Sequence, residues 1–261
     1  MTKSFDLSGR RVFISGAAGR LGRAIAVGLA AAGAEMILNG RNAEKLDGVV
    51  REIRDQGHSA LAAPFDISDA VARRAYFDSQ DRIDVLINNA YAGKTGTWEA
   101  IRAQDFRDAY EIAVVAAFEA IKDAERPLMA GVAANGQASV INMGSMYGAV
   151  SPDFRIYGGS GYDSPPSYGA AKAALLQMTR YAAVSLARKG IRVNCISPGP
   201  FPPPDIATTL PDFYEHLVNK VPMGRIGQPQ ELVGPTLFLA SDASSYLTGT
   251  EIPVDGGWRT W

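Results

Sequence analysis

The sequence predicts a doubly wound α/β fold with about seven parallel strands and helices on both faces, and two observations carry this prediction. Short apolar runs alternate with longer helical patterns along the 261 residues, which is typical of repeated βα units. A glycine-rich turn joins the first strand to the first helix, where folds of this class bind a dinucleotide. Because no linker or low-complexity tract divides the chain, we expect one domain over residues 1–261.

Hydrophobic periodicity predicts the individual elements. The strands are short apolar runs at 11–15, 35–39, 60–64, 85–88, 139–143, 192–197 and 252–255. The helices have the longer spacing of a half-buried helix face, and these patterns lie at 21–32, 43–56, 69–79, 105–130, 168–189 and 229–240. The alternation of the two patterns predicts a parallel sheet whose crossovers are helical.

Composition and charge argue against two classes of partner. Hydrophobic residues make up 47% of the chain and charged residues 20%, which is ordinary for a globular protein with a sizeable core. The net charge of −1 and the scattered arginines provide no basic stripe, so nucleic acid is not an expected partner. The longest apolar stretch, 24–38, is broken by glycines and a glutamate, and the first residues lack the apolar segment of a signal peptide. We therefore expect no membrane span and a cytoplasmic location.

Disulfide and metal chemistry are not expected either. Cys195 is the single cysteine, so it cannot form an internal disulfide, and its strand-like surroundings favour a buried structural role. The chain has two histidines, His58 and His216, and no cysteine or histidine cluster at metal-ligand spacing. No metal site is predicted.

The first βα unit contains the glycine turn, which runs from Gly16 to Gly22. Its glycines let the backbone turn tightly and approach a pyrophosphate, which then lies against the N-terminus of the following helix. A glycine triplet alone says little, but one between a strand and a helix predicts a nucleotide site. The predicted cofactor-binding residues of this turn are Gly16, Gly19, Arg20, Leu21 and Gly22.

The end of the second strand indicates which nicotinamide cofactor is preferred. An acidic side chain there would bind the adenosine 2'-hydroxyl, but the sequence has Gly40 followed by Arg41. A guanidinium fork suits a 2'-phosphate, and Arg20 would add a second positive charge. We therefore predict that NADP(H) is favoured over NAD(H). The alternative is that both arginines are solvated surface residues.

Two further strand ends carry candidate cofactor residues. Asp66 and Ile67 follow the third strand, and Asn89 and Ala90 follow the fourth. The carboxyl ends of parallel strands meet at one edge of the sheet, where ligands bind, so we predict that all four contact the cofactor and that Asp66 lies near the adenine. The alternative for Asp66 and Asn89 is the capping of local turns.

Tyr168 and Lys172 are the most informative pair in the chain, because their spacing places both on one face of a helix. A free phenol titrates near 10, so proton transfer near neutral pH needs a shift of about 3 units, or about 4 kcal/mol. A positive charge roughly 4 to 5 Å away supplies about 3 to 4 kcal/mol at an effective dielectric near 20. Lys172 can therefore supply most of the shift that would let Tyr168 donate and accept protons.

Together these features resemble the single-domain members of the short-chain dehydrogenase/reductase family. The resemblance extends over nearly the whole chain and rests on the order and spacing of its motifs. It implies a Rossmann-type fold and an oxidoreductase that interconverts a secondary alcohol and a ketone. The motifs that carry it are the glycine turn at 16–22, Asp66, Asn88-Asn89-Ala90, Ser145, Tyr168 with Lys172, Pro198-Gly199, and Val254-Asp255-Gly256-Gly257.

The resemblance also implies roles for particular residues. Tyr168 would exchange a proton with the substrate oxygen while hydride moves to or from the nicotinamide. Lys172 would lower the pKa of that phenol and bind the nicotinamide ribose, and Ser145 would hold and polarise the substrate oxygen. Pro198 and Gly199 would form a wall beside the nicotinamide. Ser145, Tyr168 and Lys172 are the predicted catalytic residues, and Tyr168, Lys172, Pro198 and Gly199 complete the predicted cofactor set.

Four positions depart from the family pattern. Arg20 stands where the second glycine of the turn is usual, and Tyr91 replaces the common glycine after Asn-Asn-Ala. The proline-rich segment 200–204 occupies the place of a threonine that often binds the nicotinamide. The helical pattern 111–118 aligns Ala113 with an asparagine that, in many relatives, positions a water in the proton relay. The relay route is therefore left open.

The segment 151–166 is predicted to be an insertion beside the active site, because Ser145 and Tyr168 are 23 residues apart, more than in many relatives. Its mixture of polar and aromatic groups suits a polyhydroxylated or anionic substrate, and it resembles the insertion of family members associated with bacterial sugar and surface-glycan modification. The alternative is a structural or intersubunit loop. The predicted substrate residues here and nearby are Tyr91, Asp153, Tyr157, Tyr162 and Phe201.

The sequence thus predicts an NADP(H)-preferring oxidoreductase that acts on a sugar, a polyol or a sugar acid as its small-molecule substrate. A reductase of 3-oxoacyl thioesters is the enzymatic alternative, and a non-catalytic dinucleotide-binding regulator or structural subunit is the second alternative. The resemblance further implies a homo-oligomer, a tetramer or a dimer, with the helix at 229–240 and the terminal strand as a plausible contact.

Overall fold

A seven-stranded parallel sheet organises the chain, and the computed structural model describes residues 3–158, 160 and 163–260. The strand order is β3-β2-β1-β4-β5-β6-β7, so the direction of winding reverses between β1 and β4. This confirms the predicted doubly wound α/β fold and places a ligand-binding crevice at the carboxyl ends of β1 and β4. The strands are β1 Arg11–Ser15, β2 Glu35–Gly40, β3 Ala60–Pro64, β4 Val85–Asn88, β5 Ala138–Met143, β6 Ile191–Pro198 and β7 Glu251–Val254.

Helices cover both faces of this sheet. A π-helical segment, Glu111–Val115, separates α4 from α5. Within the described ranges, no helix is both long and apolar enough to cross a membrane. The helices are α1 Arg20–Ala31, α2 Ala43–Asp55, α3 Ala70–Ser79, α4 Ala103–Tyr110, α5 Ala116–Asp123, α6 Glu125–Asn135, α7 Pro166–Leu186, α8 Ile206–Thr209, α9 Pro211–Lys220 and α10 Val233–Ala240.

The alternation of side chains along β1 shows how the two faces are packed. Val12 and Ile14 belong to the apolar cluster that includes α1 and α2, whereas Phe13 belongs to the cluster on the opposite face. All three side chains are fully buried. Because a parallel strand is covered by helices on both sides, a continuous apolar run is what such a strand requires.

A buried chain of amides fixes α7 against the sheet. Asn88 on β4 donates to Asn142 on β5 over 2.9 Å, and Asn142 donates to Thr179 on α7 over 2.9 Å. Asn142 and Thr179 are at most 1% exposed. Buried polar groups are costly unless they are paired in the correct geometry. These hydrogen bonds therefore fix the position of α7, the helix that carries Tyr168 and Lys172.

Three predicted helices differ from the structure. The single helix expected over 105–130 is interrupted by the π-helical segment and ends at Asn135 after a restart at Glu125. Helix α7 begins at Pro166, two residues before the expected start at 168, because proline fits the first helical position without losing a hydrogen bond. The first turn of the helix expected over 229–240 is a 3-10 helix, Pro229–Leu232.

Helices α8 and α9 were not predicted from the sequence. They follow the proline-rich segment 200–204 and pack against residues 153–157 through an apolar cluster that includes Phe213 and Leu217. Phe213 stacks on Tyr157 with ring centroids 5.6 Å apart. The apolar residues of α8 and α9 are too few to predict a helix from the sequence, because the residues against which they pack are distant along the chain.

A buried cation joins α3 to α5 beneath the end of β3. Arg73 is 2% exposed, its Nε donates to Asp123 over 2.8 Å, and its Nη1 donates to the Ile67 carbonyl over 3.0 Å. The neighbouring Arg74 also approaches Asp123, at 3.6 Å, but its side chain is 65% exposed. The two arginines therefore differ in burial while they share one partner.

Replacing Arg73 is expected to destabilise the fold strongly. Arg73→Ala leaves the buried Asp123 with its exposed partner alone, so we expect the free energy of unfolding to fall by about 3 kcal/mol. The matched control is Arg74→Ala, for which a loss within about 0.5 kcal/mol is expected. Urea unfolding measures both, and equal losses would contradict the distinction.

Candidate active site

The glycine turn is shaped by close contacts that exclude side chains. Gly16 has φ of +66°, and a Cβ on it would lie 2.9 Å from Ala90 Cα. A Cβ on Gly22 would lie 2.4 Å from the Gly16 carbonyl oxygen. Gly19 precedes the first turn of α1, whose N-terminus faces the crevice end of β1. The turn is therefore a backbone cradle, which fits the pyrophosphate of a dinucleotide.

Two side chains tie this turn to the end of β4. Asn89 donates to the carbonyls of Ser15 and Gly16, over 2.9 and 3.1 Å. The Ser15 hydroxyl accepts from the backbone amides of Asn89 and Ala90, each over 3.1 Å. Sequence reasoning missed Ser15. A hydroxyl residue at the end of the strand before the glycine turn is the signal that would have identified it.

The predicted cofactor residues of the first four strands lie together. A cleft of about 760 Å³ opens between the glycine turn, the ends of β2 and β3, and α4, and it also contains Lys45, Ser68 and Glu111. It is lined by all the residues predicted for this part of the cofactor site, namely Gly16, Gly19, Arg20, Leu21, Gly22, Arg41, Asp66, Ile67, Asn89 and Ala90.

The far end of the cleft is basic. Arg41 has a side chain that is 70% exposed, and its Nη1 lies 3.9 Å from Asp66 Oδ2. Lys45 lines the same end, and Gly40 contributes no carboxylate. Burial acts to raise the pKa of Asp66, but hydrogen bonds from Ser68 and the charge of Arg41 outweigh it and lower that pKa. Asp66 is therefore held as an anion beside this end of the cleft.

Arg20 has a different partner from the one expected. It lines the cleft, but its Nη2 donates to the carbonyl oxygen of Phe201 in the segment that follows β6. Burial lowers the pKa of its guanidinium. The side chain thus connects the glycine turn with the proline-rich segment 200–204, and its contact with a 2'-phosphate stays a prediction.

The end of β6 approaches β7 closely. Gly199 donates its amide to Val254 over 3.0 Å, and a Cβ on Gly199 would lie 2.5 Å from Asp255 Cα. Pro198 is the last residue of β6. Neither residue lines the 760 Å³ cleft. Their role as a wall beside the nicotinamide stays a prediction.

Ser145, Tyr168 and Lys172 meet at the carboxyl end of β5. Ser145 is 4% exposed and its hydroxyl accepts from the Tyr147 amide over 3.2 Å. The same hydroxyl hydrogen-bonds the Tyr168 phenol. Lys172 is 4% exposed, its Nζ donates to the Met143 carbonyl over 2.6 Å, and this Nζ lies 5.8 Å from the centre of the Tyr168 ring. The structure thus brings the three predicted catalytic residues together.

Burial dominates the ionisation of this group in the cofactor-free protein. It lowers the pKa of Lys172 from 10.5 to about 8, with the nearby Cys195 acting in the opposite direction. It raises the pKa of Tyr168, which the hydrogen bond with Ser145 partly offsets. The expected lowering of the phenol pKa is therefore not a property of the protein groups alone. The positive charge of an oxidised nicotinamide would act in the lowering direction.

Tyr157, in the predicted insertion, reaches the site through a contact with the phenol of Tyr147. The hydroxyls of Tyr147 and Tyr157 lie 3.0 Å apart, and Tyr157 is 7% exposed. Tyr147, two residues after Ser145, was missed by sequence reasoning. Burial, together with the negative charges that Tyr157 and Tyr168 would carry, raises the pKa of Tyr147 strongly, so this hydroxyl stays protonated.

The other predicted substrate residues are placed differently. Asp153 accepts from Arg155 over 2.7 Å and lies 3.4 Å from Lys220, so its carboxylate already has partners in the fold. Phe201 lines a separate cavity of about 310 Å³ beside β7. Tyr162 lies outside the described residues. Tyr91 lines the cleft, and its ring centroid is 5.0 Å from that of Tyr168.

Tyr91 lines the glycine-turn cleft and contacts both Tyr168 and Lys172. The doubly wound sheet, this cleft and the tyrosine–lysine pair define a dinucleotide-dependent oxidoreductase. A family model described as enoyl-(acyl carrier protein) reductase matches residues 16–259. The chain belongs to the short-chain dehydrogenase/reductase family, which confirms the resemblance found in the sequence.

Characterised relatives match along nearly their whole length. The 2,5-dichloro-2,5-cyclohexadiene-1,4-diol dehydrogenase LinX of Sphingobium indicum is 34% identical, with 97% of each chain covered. The gluconate 5-dehydrogenase of Gluconobacter oxydans is 33% identical, with 97% and 96% covered. The rhamnolipids biosynthesis 3-oxoacyl-[acyl-carrier-protein] reductase of Pseudomonas aeruginosa is 33% identical, with 98% of each covered.

A solved structure with ligands is also similar. It is a gluconate 5-dehydrogenase from Burkholderia cenocepacia in complex with NADP and tartrate, with a TM-score of 0.86, 31% identity, and 99% and 98% of the two chains covered. These relatives are dehydrogenases and reductases that act on CH–OH groups or their ketones. The chain is therefore an NAD(P)-dependent oxidoreductase, and the alternative of a non-catalytic subunit is not supported.

The burial of Lys172 predicts an unusual pH dependence of stability. Below pH 8 the ammonium is charged in both the folded and the unfolded chain, so its whole burial cost is present. Between about pH 8 and 10.5 the folded protein releases this proton first, the unfolded chain binds more protons, and stability rises with pH. Relative to Lys172→Met, the wild-type protein should therefore gain about 2 kcal/mol between pH 7 and pH 9.5.

Urea unfolding of the cofactor-free proteins at both pH values measures this gain. Lys122→Met is the matched control, because the Lys122 side chain is 59% exposed. The difference in the free energy of unfolding between wild type and Lys122→Met should be the same at both pH values. A difference between wild type and Lys172→Met that does not change with pH would show that the ammonium is not penalised by burial.

Proposed function

We propose that this enzyme interconverts a secondary alcohol and a ketone on a sugar, polyol or sugar acid, with NADP(H) as its preferred cofactor. The observation that carries the proposal is the convergence of Ser145, Tyr168 and Lys172 at the carboxyl end of β5, next to a cleft with a basic far end. The groups proposed for proton transfer, carbonyl polarisation and nucleotide binding therefore lie at one edge of the sheet.

The three residues have complementary roles in this proposal. A bound NADPH would supply the hydride that reduces the carbonyl carbon. In this reductive direction, the Tyr168 hydroxyl would donate its proton to the carbonyl oxygen. The Ser145 hydroxyl donates to the same oxygen and stabilises the charge that develops on it. The Lys172 ammonium favours the tyrosinate that remains. In the oxidative direction, the tyrosinate accepts the proton of the substrate alcohol.

The substrate class is supported by hydroxyl groups around the site. The segment 151–166 and the turn after β5 contribute Tyr157 and Tyr147, whose phenols lie 3.0 Å apart near Ser145. Each phenol can donate one hydrogen bond and accept others, which suits a substrate with several hydroxyls. The gluconate 5-dehydrogenases among the relatives support the same class.

A reductase of 3-oxoacyl thioesters is the second candidate, because one of the 33% identical relatives carries that name. A fatty acyl chain requires an open apolar groove. Met146, Ile156 and Tyr157 are instead buried in a common cluster with Ile206 of α8, Phe213 and Leu217 of α9, and Trp258, which is 2% exposed. This packing favours the polyhydroxylated substrate.

A substrate panel tests the proposed function. The purified enzyme is assayed by nicotinamide absorbance with NADPH and NADH against neutral ketoses, keto-sugar acids and 3-oxoacyl thioesters. We expect the highest kcat/KM with a ketose or keto-sugar acid and NADPH. Preferential turnover of a 3-oxoacyl thioester would establish the second candidate, and turnover of neither class would overturn the proposal.

Replacing the proposed proton donor is expected to abolish turnover. Tyr168→Phe removes only the hydroxyl, and general acid catalysis contributes about 10² to 10⁴ in rate, so kcat should fall by at least about 100-fold. The affinity for NADPH, measured by fluorescence titration, should change little. Tyr181→Phe is the control, because Tyr181 is on the same helix and is 73% exposed. Retained turnover in Tyr168→Phe would remove it from this role.

The preference for NADP is expected to depend on the end of β2. A Cβ at Gly40 meets its nearest neighbour, Leu46, at an ordinary 3.5 Å, so an aspartate fits there. Gly40→Asp with Arg41→Ala supplies an acceptor for the ribose hydroxyl and removes the positive charge that would bind the 2'-phosphate. The ratio of kcat/KM for NADPH over NADH should fall by about 10-fold or more, since a charged hydrogen bond contributes about 1.5 to 3 kcal/mol. An unchanged ratio would contradict the assignment, and Arg74→Ala serves as the charge control.

We also propose that the protein is a homo-oligomer, a dimer or a tetramer. Val184 on α7 is 82% exposed, and Tyr246, before the edge strand β7, is fully exposed. Exposed large apolar side chains are typical of contact surfaces. Light scattering of the purified protein gives its mass in solution, and a monomer would contradict the proposal. The cytoplasmic location and the status of 151–166 as an insertion remain proposals from the sequence.

A further inference from the structure

Tyr91 contacts both members of the catalytic pair. Its ring stands edge-to-face against Tyr168, with centroids 5.0 Å apart and planes at 69°. The Lys172 Nζ lies 5.2 Å from the centre of the Tyr91 ring, closer than its 5.8 Å to the Tyr168 ring. One aromatic side chain thus touches the proposed proton donor and the cation beside it.

Three alanines form the seat of this ring. Ala109 on α4, Ala113 in the π-helical segment and Ala171 on α7 are all at most 3% exposed, and they form one apolar cluster with Tyr91. A larger side chain at position 113 would compete with the ring for the same space. Contact with the Tyr91 ring therefore explains why position 113 has an alanine, where many relatives have a polar residue.

The hydroxyl of Tyr91 does not explain its position. The Oη atom is buried and has no hydrogen-bond partner among the described residues. The loop passes close to it at Gly93, where a Cβ would lie 2.2 Å away. Burial raises the pKa of Tyr91 to about 12, and the negative charge that Tyr168 would carry adds to the shift. The contacts of Tyr91 with Tyr168 and Lys172 are made by its ring.

We propose that Tyr91 is a positioning residue, whose ring holds the Lys172 ammonium beside the Tyr168 phenol and is itself held in place by Ala109, Ala113 and Ala171. This inference rests on the catalytic roles given to Tyr168 and Lys172 in the proposed function. It differs from the substrate contact that the sequence predicted for Tyr91.

The face of the Tyr91 ring can stabilise the Lys172 ammonium because that ammonium is charged and buried. Lys172 has three N–H donors, and one of them is directed to the Met143 carbonyl over 2.6 Å. The face of an aromatic ring attracts an ammonium most strongly where water is excluded, as it is around this 4% exposed lysine. The edge-to-face contact with Tyr91 limits movement of the Tyr168 ring at the same time. Tyr91 therefore fixes the distance between cation and phenol without titrating.

The first experiment compares Tyr91→Phe with Tyr91→Leu. Phenylalanine keeps the ring, so kcat should stay within about threefold of wild type. Leucine keeps an apolar side chain but loses the ring face, and kcat should fall by about 10- to 100-fold, as a misplaced catalytic group does. NADPH affinity and melting temperature, measured alongside, should be similar in the two variants. Equal kcat values for the two variants would overturn the proposal.

The pH profile separates positioning from a merely structural role. Among the described residues, the ionisable groups that face Tyr168 are Lys172 on α7, Tyr91 after β4 and Tyr147 after β5, and Cys195 on β6 faces Lys172. Once the ammonium is less well fixed, the tyrosinate is less stabilised. The acidic limb of kcat for alcohol oxidation should then move up by about half a unit to one unit in Tyr91→Leu. Tyr91→Phe should leave it in place, and an unmoved limb in Tyr91→Leu would contradict the proposal.

A double-mutant cycle tests the alanine seat. Ala113→Leu should lower kcat by about 10-fold when Tyr91 is present, because leucine displaces the ring. In the Tyr91→Ala background the same change should lower kcat by less than about twofold, because the space is vacant. Strictly additive effects would show that the two positions are uncoupled and would remove Ala113 from the proposal.

A spectroscopic measurement makes the proposal independent of the substrate. Tyrosinate absorbance is titrated in the NADP⁺ complex with and without Tyr168→Phe, and the difference gives the pKa of Tyr168 in the wild-type, Tyr91→Phe and Tyr91→Leu backgrounds. We expect a rise of about half a unit to one unit in Tyr91→Leu only. If the substrate panel shows no turnover, the proposed function fails while this titration still decides the role of Tyr91. An unshifted pKa in Tyr91→Leu would overturn it.

Discussion

The site depends on a positive charge held inside the protein. Lys172 is 4% exposed, and burial lowers the pKa of its ammonium to about 8. Such a group is tolerated only where other atoms replace water. The Met143 carbonyl, the Tyr91 ring and the Tyr168 ring do so here, and the amide chain from Asn88 through Asn142 to Thr179 fixes the helix that carries the lysine. The sheet, the helix and the loop after β4 therefore all contribute to stabilising the buried Lys172 ammonium.

Most of the fold followed from local sequence patterns. Each strand is a short apolar run between turn residues, and each was predicted to within about one residue at either end, because burial on both faces leaves no other pattern for a parallel strand. The glycine turn and the Tyr168–Lys172 pair were equally readable, since both are defined by spacing along the chain. These features are local, and a single sequence contains them completely.

Features that depend on contacts between residues far apart in the sequence could not be predicted from local patterns. Helices α8 and α9 are stabilised by residues 146–157 and Trp258, which are far from them in sequence. Arg20 reaches the Phe201 carbonyl, a partner that only the folded chain brings near the glycine turn. Ser15 and Tyr147 were missed because their importance comes from hydroxyl contacts with Asn89, Ala90 and Tyr157. Burial also reversed the expected direction of the Tyr168 pKa, since spacing alone contains no desolvation.

The two ends of the cleft are attached to the protein very differently. Ser15 and Asn89 tie the glycine turn to β4, which leads to Tyr91 and the catalytic edge. Arg41 stands at the other end, with an exposed side chain and one ion-pair contact to Asp66 at 3.9 Å. Substitutions near Arg41 can therefore accumulate without disturbing the interior. Under the proposed function, the end of the cleft that selects the pyridine nucleotide can therefore be altered while the residues that carry the bond-making chemistry stay unchanged.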